Sequence, residues 1–481
     1  MGTGQSRRRP VRISVPSRAD ALLRNFTELI GGPLGRRTSP GRIDPGTFTV
    51  ERVLVLLTTI AGALSVLIKN PCRIEGWAGP DQYYMACHSQ WPEAFSQLGA
   101  GTSFLQLGHS ALTGAFAGAT ANLVPVGSSL RYYDLHSVLA VAAWLITVCA
   151  TVRMSNRRPW DAAMVAVAPI IIVAAFIGWD LWAVMLAALG MLAFARTRFA
   201  AAGAFLGLGT AIAGYPVLIF AAVAVLAVRT RETSGAIMTG AVLAATWLAV
   251  NLPFALSDPQ AWVAQFAGLP NQGADHSSVW SAYNALAARA GGVELDAATT
   301  SVVSALVFSL ACAGIAVLAL LAPRRPRLAP LAVLLVGALS LTGQGYSPQH
   351  AIWMVPLVAL AYPKWRTFVT WQLFEVAHWW ALMVYLGREA SGGAAQNNID
   401  LPYYLLAVFG HMLATAYIMY RVVEGILEPG QDPVRRLDID DPQGGPFDRA
   451  ADRRVPSRRH LAATRPRVRL SRPATELKDH P

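Results

Sequence analysis

The chain has 481 residues, of which 54% are hydrophobic and 14% are charged. This composition excludes an ordinary soluble enzyme, because the apolar residues come in blocks of about 14 to 22, near the ~20 that cross a bilayer as a helix. The formal charge of +12 does not indicate nucleic acid, since the basic residues lie mainly in two tails and in short loops between apolar runs. There they orient the chain and contact membrane lipids. The sequence therefore predicts an all-α polytopic membrane protein.

The two ends of the chain differ from its middle. Residues 1–47 are rich in Arg and lack the form of a cleavable signal peptide, so they predict a disordered basic cytoplasmic arm. Residues 425–481 repeat Asp, Arg, Pro and Gly and predict a disordered cytoplasmic tail. The transmembrane domain is expected to be residues 48–424, in the plasma membrane with both termini inside.

The first apolar run crosses outward from the basic arm and leads into a long polar segment. Residues 99–126 are only weakly apolar. If they crossed the membrane, Arg153, Arg157 and Arg158 would lie outside, against the positive-inside rule. We therefore expect residues 99–126 to be re-entrant or interfacial, within a large first outer loop of residues 70–134.

The later basic residues recur at intervals that assign them to the cytoplasm, with pairs of apolar runs between them. This pattern predicts about twelve spans and a second outer loop at residues 256–300. Several runs are short, which indicates tilted or broken helices around a cavity.

Cys72 and Cys87 are the only cysteines outside the apolar runs, and both lie in the first outer loop. The outer side of a membrane is oxidising, so a disulfide between them is expected. Two free thiols in a packed loop are the alternative.

The carboxylates of the first outer loop are candidates for a general base. Asp81 follows a Gly-Pro turn and precedes Tyr83 and Tyr84, which can hydrogen-bond to a sugar or stack on it. Glu93 competes with Asp81 for the role of base. A solvated acid or a helix N-cap is the alternative interpretation of either residue.

Further polar residues interrupt the apolar runs at predicted outer turns. Asp180 lies beside Trp179 and Trp182 and is either an interfacial cap or an acid facing a cavity. Tyr215 lies in a Gly-Tyr-Pro break, where a helix start can expose backbone amides to an anion.

The turn from Gly343 to His350 is the second polar cluster. Four of its side chains, Gln344, Tyr346, Gln349 and His350, could hold a phosphate leaving group, although a plain hairpin is the alternative. His276 in the second outer loop could contact substrate or lie on a polar surface. No grouping has convincing metal-ligand spacing, and no motif indicates a cofactor or a nucleotide.

Several motifs in order resemble the actinobacterial family-87 glycosyltransferases. They are Phe176-Ile-Gly-Trp-Asp-Leu-Trp182, Gly214-Tyr-Pro-Val-Leu218, Asn251-Leu-Pro-Phe-Ala-Leu256, Tyr346-Ser-Pro-Gln-His-Ala-Ile-Trp353 and Trp371-Gln-Leu-Phe-Glu375. The resemblance implies a GT-C fold. It also implies transfer of mannose from polyprenyl-phosphate-mannose to a lipid-linked glycan acceptor on the extracytoplasmic face, with a first-loop carboxylate as base.

One departure from the family pattern falls in the first outer loop. The segment Ala86-Cys-His-Ser-Gln90 has an amide, Gln90, where the family pattern has an acid, and it carries His88. An amide cannot accept the proton of the acceptor hydroxyl, so Asp81 or Glu93 is the expected base. The alternative is an inactive relative that binds polyprenyl lipid or glycolipid, or serves as a partner in cell-envelope assembly. A transporter is a third, weaker option.

The expected site thus combines Asp81 or Glu93 as base with a set of substrate-binding residues drawn from several segments. These residues are Tyr83, Tyr84, His88, Gln90, Asp180, Tyr215, His276, Gln344, Tyr346, Gln349 and His350.

Overall fold

The computed structural model describes residues 49–155, 158–267, 273–393, 399–435, 443–450 and 452. Within these ranges the regular structure is entirely helical. The basic arm of residues 1–47 lies outside the described residues, as do all residues after 452.

The helices are numbered in chain order. They are α1 Val50–Ile68, α2 Asn70–Glu75, α3 Asp81–Tyr84, α4 Gln90–Gly99, α5 Ala111–Ala121, α6 Ser129–Ser155, α7 Ala163–Ala166, α8 Pro169–Ala174, α9 Asp180–Ala195, α10 Phe199–Ile212, α11 Pro216–Thr230, α12 Thr233–Ser257, α13 Pro259–Ala267, α14 Val279–Ala290, α15 Ala297–Leu321, α16 Leu328–Thr342, α17 Pro348–Ala361, α18 Trp365–Ala390 and α19 Leu401–Leu427. Short 3-10 turns lie at Phe104–Gln106, Pro159–Ala162, Pro429–Gln431 and Gly445–Arg449.

Five of these helices, α1, α6, α12, α15 and α19, are long and apolar enough to cross a membrane. This is consistent with insertion into a membrane. Other apolar helices are shorter: α10 and α11 have 14 and 15 residues. At about 1.5 Å per residue they are about 21 to 23 Å long, less than the ~30 Å of hydrocarbon. The number of about twelve crossings stays a prediction.

Small residues set the close packing of α10 against α12. Gly203 and Gly207, four residues apart on α10, face the α12 backbone, and a methyl group on Gly207 would come within 2.7 Å of the Leu243 carbonyl oxygen. In the same way Gly190 of α9 faces Leu206 of α10. Helices that are apolar all round gain little from burying apolar surface against each other in lipid. Close approach of the backbones at these glycines adds van der Waals contacts, and these contacts favour the packing of α10 against α12 and α9.

The segment that the sequence assigns to the first outer loop contains α2 to α5. A bidentate ion pair joins its beginning to its end, with Arg73 Nε and Nη2 each 2.9 Å from a carboxylate oxygen of Asp134. A disulfide joins Cys72 and Cys87, whose Cα atoms are 5.8 Å apart. α5 has 11 residues, about 16 Å, which is too short to cross a membrane.

The two ends of the long helices define two faces of the bundle. The face that carries the disulfide loop and the Gly343–His350 turn is called the loop face, and the opposite one the arginine face. On the arginine face Arg327 donates to both carboxylate oxygens of Asp432 at 2.7 and 3.0 Å. Arg229 likewise donates to both carboxylate oxygens of Asp452 at 3.0 Å.

This packing corrects the prediction of a disordered tail for residues 425–435 and for the described residues between 443 and 452. Phe447 is buried against Phe194 of α9. The segment lacks the apolar surface to fold alone, which is why its composition indicates disorder. Its carboxylates instead pair with arginines that the bundle buries, a partnership that composition does not reveal.

Candidate functional site

A half-buried carboxylate at the loop face is the centre of the candidate site. Trp353 Nε1 donates a hydrogen bond of 2.9 Å to Asp180 Oδ1. The Trp353 ring stacks on Tyr215, with centroids 4.6 Å apart and planes 13° apart, and His350 meets it edge-on at 4.2 Å. These four residues, from the starts of α9, α11 and α17, are called the Asp180 group.

Prolines at two helix starts help to position the Asp180 group. Pro216 begins α11 directly after Tyr215, and Pro348 begins α17 two residues before His350. A proline is tolerated at the first position of a helix, because its missing N–H needs no partner there. His350 and Trp353 are three residues apart on α17 and therefore share a face of the helix.

The tautomer of His350 follows from its capping hydrogen bond. Its Nδ1 accepts the backbone N–H of Ser347 at 3.0 Å. The proton of the neutral ring is therefore on Nε2, which can donate to an anionic oxygen.

Gln90 lies next to Asp180. Its backbone N–H donates to the Ile177 carbonyl at 2.8 Å. A methyl group on Gly178 would come within 2.7 Å of Gln90 Oε1 and 3.2 Å of Asp180 Oδ2. The Gln90 amide and the Asp180 carboxylate thus both lie beside Gly178, where a larger residue would crowd them. Asp180 therefore places a carboxylate next to the amide that stands where the family-87 pattern has an acid.

The structure argues against Asp81, one of the two bases expected from the sequence. Asp81 is exposed at the first position of α3, and Glu93 is exposed on α4. A general base needs partial shielding beside the reacting group, and bulk water at Asp81 removes that advantage. Asp81 is therefore not retained as a base. Glu93 accepts a hydrogen bond from Gln97 at 3.2 Å, and its role as a base stays a prediction.

Glu93 also lines an open groove of about 970 Å³ on the loop face. Its lining includes the aromatic residues Trp77, Phe95 and Phe104 as well as polar residues such as Asn122. Such a groove has the size and mixed character of a site for an amphiphilic ligand.

Tyr83 and His88 pack against each other within the disulfide loop. Their rings stack at 4.8 Å, and His88 Nδ1 is 2.9 Å from Gln82 Oε1. Burial, and then the positive charge of Lys69, lower the pKa of His88 to about 4, so its ring is neutral near pH 7. Lys69 Nζ donates to the Ala86 carbonyl at 2.9 Å, and burial lowers its pKa to about 7.

Tyr84 and His276 lie together at the loop-face end of α18. The Tyr84 hydroxyl is 3.3 Å from Ser391 Oγ, and its ring packs against Gly387. His276 Nε2 is 3.4 Å from a carboxylate oxygen of Glu389. Both residues therefore pack at the end of α18 rather than beside the Asp180 group.

Within the Gly343–His350 turn, the candidates have different roles. Gln344 donates to Ser301 of α15, which makes it a packing contact. Tyr346 is fully buried and donates to Glu375 at 2.8 Å, so it cannot meet a ligand at the surface without rearrangement. Gln349 is half-buried. Of these four candidates, His350 is the one that belongs to the Asp180 group, through its contact with Trp353.

The sequence interpretation missed Trp353 as a site residue, although its position three residues after His350 was a usable signal. It also missed Glu375, His378 and His411, whose ligand atoms lie within 4.8 Å of one another. The last of these comes from a different helix, which no local spacing indicates.

Comparison of the chain with protein-family models finds no match, and comparison with curated proteins finds none. The likeness to the family-87 glycosyltransferases rests on the motifs quoted above.

Proposed function

We propose that the protein is a membrane glycosyltransferase with a GT-C-like fold of about twelve spans. It would move mannose from polyprenyl-phosphate-mannose to a lipid-linked glycan acceptor on the extracytoplasmic side of the plasma membrane. The observation that carries the proposal is the meeting of Asp180, Tyr215, His350 and Trp353 at one point of the loop face.

In this proposal Asp180 is the general base. Trp353 holds Oδ1, and the carboxylate accepts the proton of the acceptor hydroxyl as that oxygen attacks the anomeric carbon. The bond from the sugar to the phosphate oxygen breaks, and the polyprenyl phosphate leaves with the electron pair. His350 donates its Nε2–H to a phosphate oxygen, which stabilises the developing charge.

The groove lined by Trp77, Phe95 and Glu93 is the proposed place for the lipid part of the acceptor. Its aromatic side chains suit the apolar part of a glycolipid, and its polar edge suits sugar hydroxyls. Helix α4 connects the groove to the Asp180 group, because Gln90 at the first position of α4 lies beside Asp180.

The test is mannosyl transfer in membranes from a polyprenyl-phosphate-mannose donor. Asp180→Asn keeps the shape of the side chain but removes the base, and should lower the rate about 10² to 10⁴-fold. Asp81→Asn, an exposed acid of the same face, is the matched control and should leave the rate unchanged. Trp353→Phe keeps a ring but removes the donor to Asp180, and should give an intermediate loss. An active Asp180→Asn variant with an inactive Asp81→Asn variant would reverse the assignment.

The second candidate is a non-catalytic relative that binds polyprenyl lipid or a glycolipid, or acts as a partner in cell-envelope assembly. The mixed groove of about 970 Å³ favours it, because the groove serves binding with or without catalysis. Wild-type protein that binds the lipid without transferring sugar would support this candidate over the enzyme.

A further inference from the structure

Two adjacent helices bury a set of metal-ligating side chains between them. Glu375 and His378 lie three residues apart on α18, and His411 lies on α19. Their side chains are at most 1% exposed. One ligand atom from each lies within 4.8 Å of the others.

Most buried polar atoms of this set make no hydrogen bond, although Glu375 Oε2 and His411 Nδ1 lie 3.4 Å apart. Glu375 Oε2 and both ring nitrogens of His378 and of His411 have no hydrogen bond among the described residues. Buried polar groups are almost always satisfied in folded proteins. These atoms therefore indicate that a further group binds there, and one cation would take one ligand atom from each of the three residues.

The other oxygen of Glu375 is held firmly. Oε1 accepts hydrogen bonds from the Tyr346 hydroxyl at 2.8 Å, from Trp371 Nε1 at 2.8 Å and from the Thr415 hydroxyl at 3.1 Å. Three donors on one oxygen hold the carboxylate in one orientation. They also direct Oε2 toward His411, whose Nδ1 is 3.4 Å away.

We propose that Glu375, His378 and His411 bind one first-row divalent metal ion, of which zinc is the best match. Two imidazoles and one carboxylate form a known ligand set for zinc and related ions, and hydrogen-bonded carboxylates are usual around such sites. The ion joins α18 to α19 and, through Glu375, fixes Tyr346 of the loop-face turn.

The ligand atoms need a small rearrangement to bind the ion. In a tetrahedral zinc site the ligand atoms are about 3.3 Å apart, which follows from bonds of about 2.0 to 2.1 Å. The His378 and His411 rings are stacked at 3.7 Å and nearly parallel. Rotation of the rings about their side-chain torsions turns one nitrogen of each toward Glu375 Oε2, and the other nitrogen carries the proton.

The proposal is tested on the full chain, purified in detergent through a tag other than polyhistidine after growth with added Zn²⁺. Elemental analysis should find about one zinc per chain. His378→Gln, His411→Gln and Glu375→Gln should each lower the zinc content by more than about tenfold. His136→Gln is the matched control, since His136 is equally buried but accepts or donates a 3.0 Å hydrogen bond with Thr120. It should retain the zinc.

A second measurement does not depend on the folding of the variants. Wild-type protein from cells grown with Co²⁺ should show the visible absorption bands of cobalt in a four- or five-coordinate site. Wild-type protein without bound zinc or cobalt overturns the proposal, and so does zinc content that is equal in the wild type and the three well-folded variants. Because the readout is metal content, the result is independent of the proposed transferase activity.

Discussion

The pair of Arg327 and Asp432 is expected to stabilise the arginine face strongly. Arg327 is fully buried, and besides Asp432 it donates to the backbone carbonyls of Leu360 and Ala361, which carry no full charge. Asp432→Ala leaves this guanidinium without its carboxylate. Removing one partner of a buried ion pair costs about 3 to 5 kcal/mol.

The assay is thermal unfolding in detergent, with wild type and variants measured side by side. The control is Glu51→Ala, which removes the exposed pair with Arg153 and should cost only about 0 to 1 kcal/mol. The double variant Arg327→Met with Asp432→Ala should be more stable than Asp432→Ala alone, because the fully buried charge of Arg327 is removed together with its partner. Arg435, whose Nε is 4.0 Å from Asp432 Oδ2, loses this carboxylate equally in both variants. An Asp432→Ala variant as stable as Glu51→Ala would refute the reasoning.

The same pair predicts a dependence on pH. Burial by itself raises the pKa of Asp432, but the charge of Arg327 and its hydrogen bonds outweigh burial, so the folded-state pKa lies below the ordinary 3.8. The stabilisation is therefore fully present above the ordinary pKa and is lost as pH falls through the folded-state pKa. Asp432→Ala should remove this part of the acid sensitivity.

Three further predictions concern other parts of the structure. Because burial lowers the pKa of Lys69 from 10.5 to about 7, stability should rise with pH between these values, and Lys69→Met should remove that slope in thermal unfolding. Replacing both Cys72 and Cys87 by Ser should lower the free energy of unfolding by about 3 kcal/mol, since the disulfide closes a loop of about 15 residues. A reducing agent should destabilise the wild type and leave this variant unchanged. Gly207→Ala should lower the free energy of unfolding by about 1 to 3 kcal/mol, because the added methyl group overpacks against the α12 backbone. Gly314→Ala is the control: open space surrounds Gly314, so this variant should be as stable as the wild type or slightly more stable in the same assay.

Part of the candidate site could be read from single segments. The Gly-Tyr-Pro break, the Pro348 start of α17 and the Asp180 turn are local features, and each places a polar or aromatic residue at the loop face. Local sequence could not rank Asp180 above Asp81. Both are acids at the first position of a helix, and their difference lies in what covers them.

The sequence by itself predicted an all-helical protein with helices long and apolar enough to cross a membrane, because long apolar runs depend only on composition along the chain. It also placed both loop cysteines in one segment. Only the tertiary structure decided which side chains meet. Trp353 reaches Asp180 across 173 positions, and His411 approaches Glu375 from the next helix. The helices α9 and α17, which bring Asp180 and Trp353 together, are apolar on nearly every side. Their sequences therefore do not specify which face meets which neighbour, and the packing of small residues and buried polar pairs decides it.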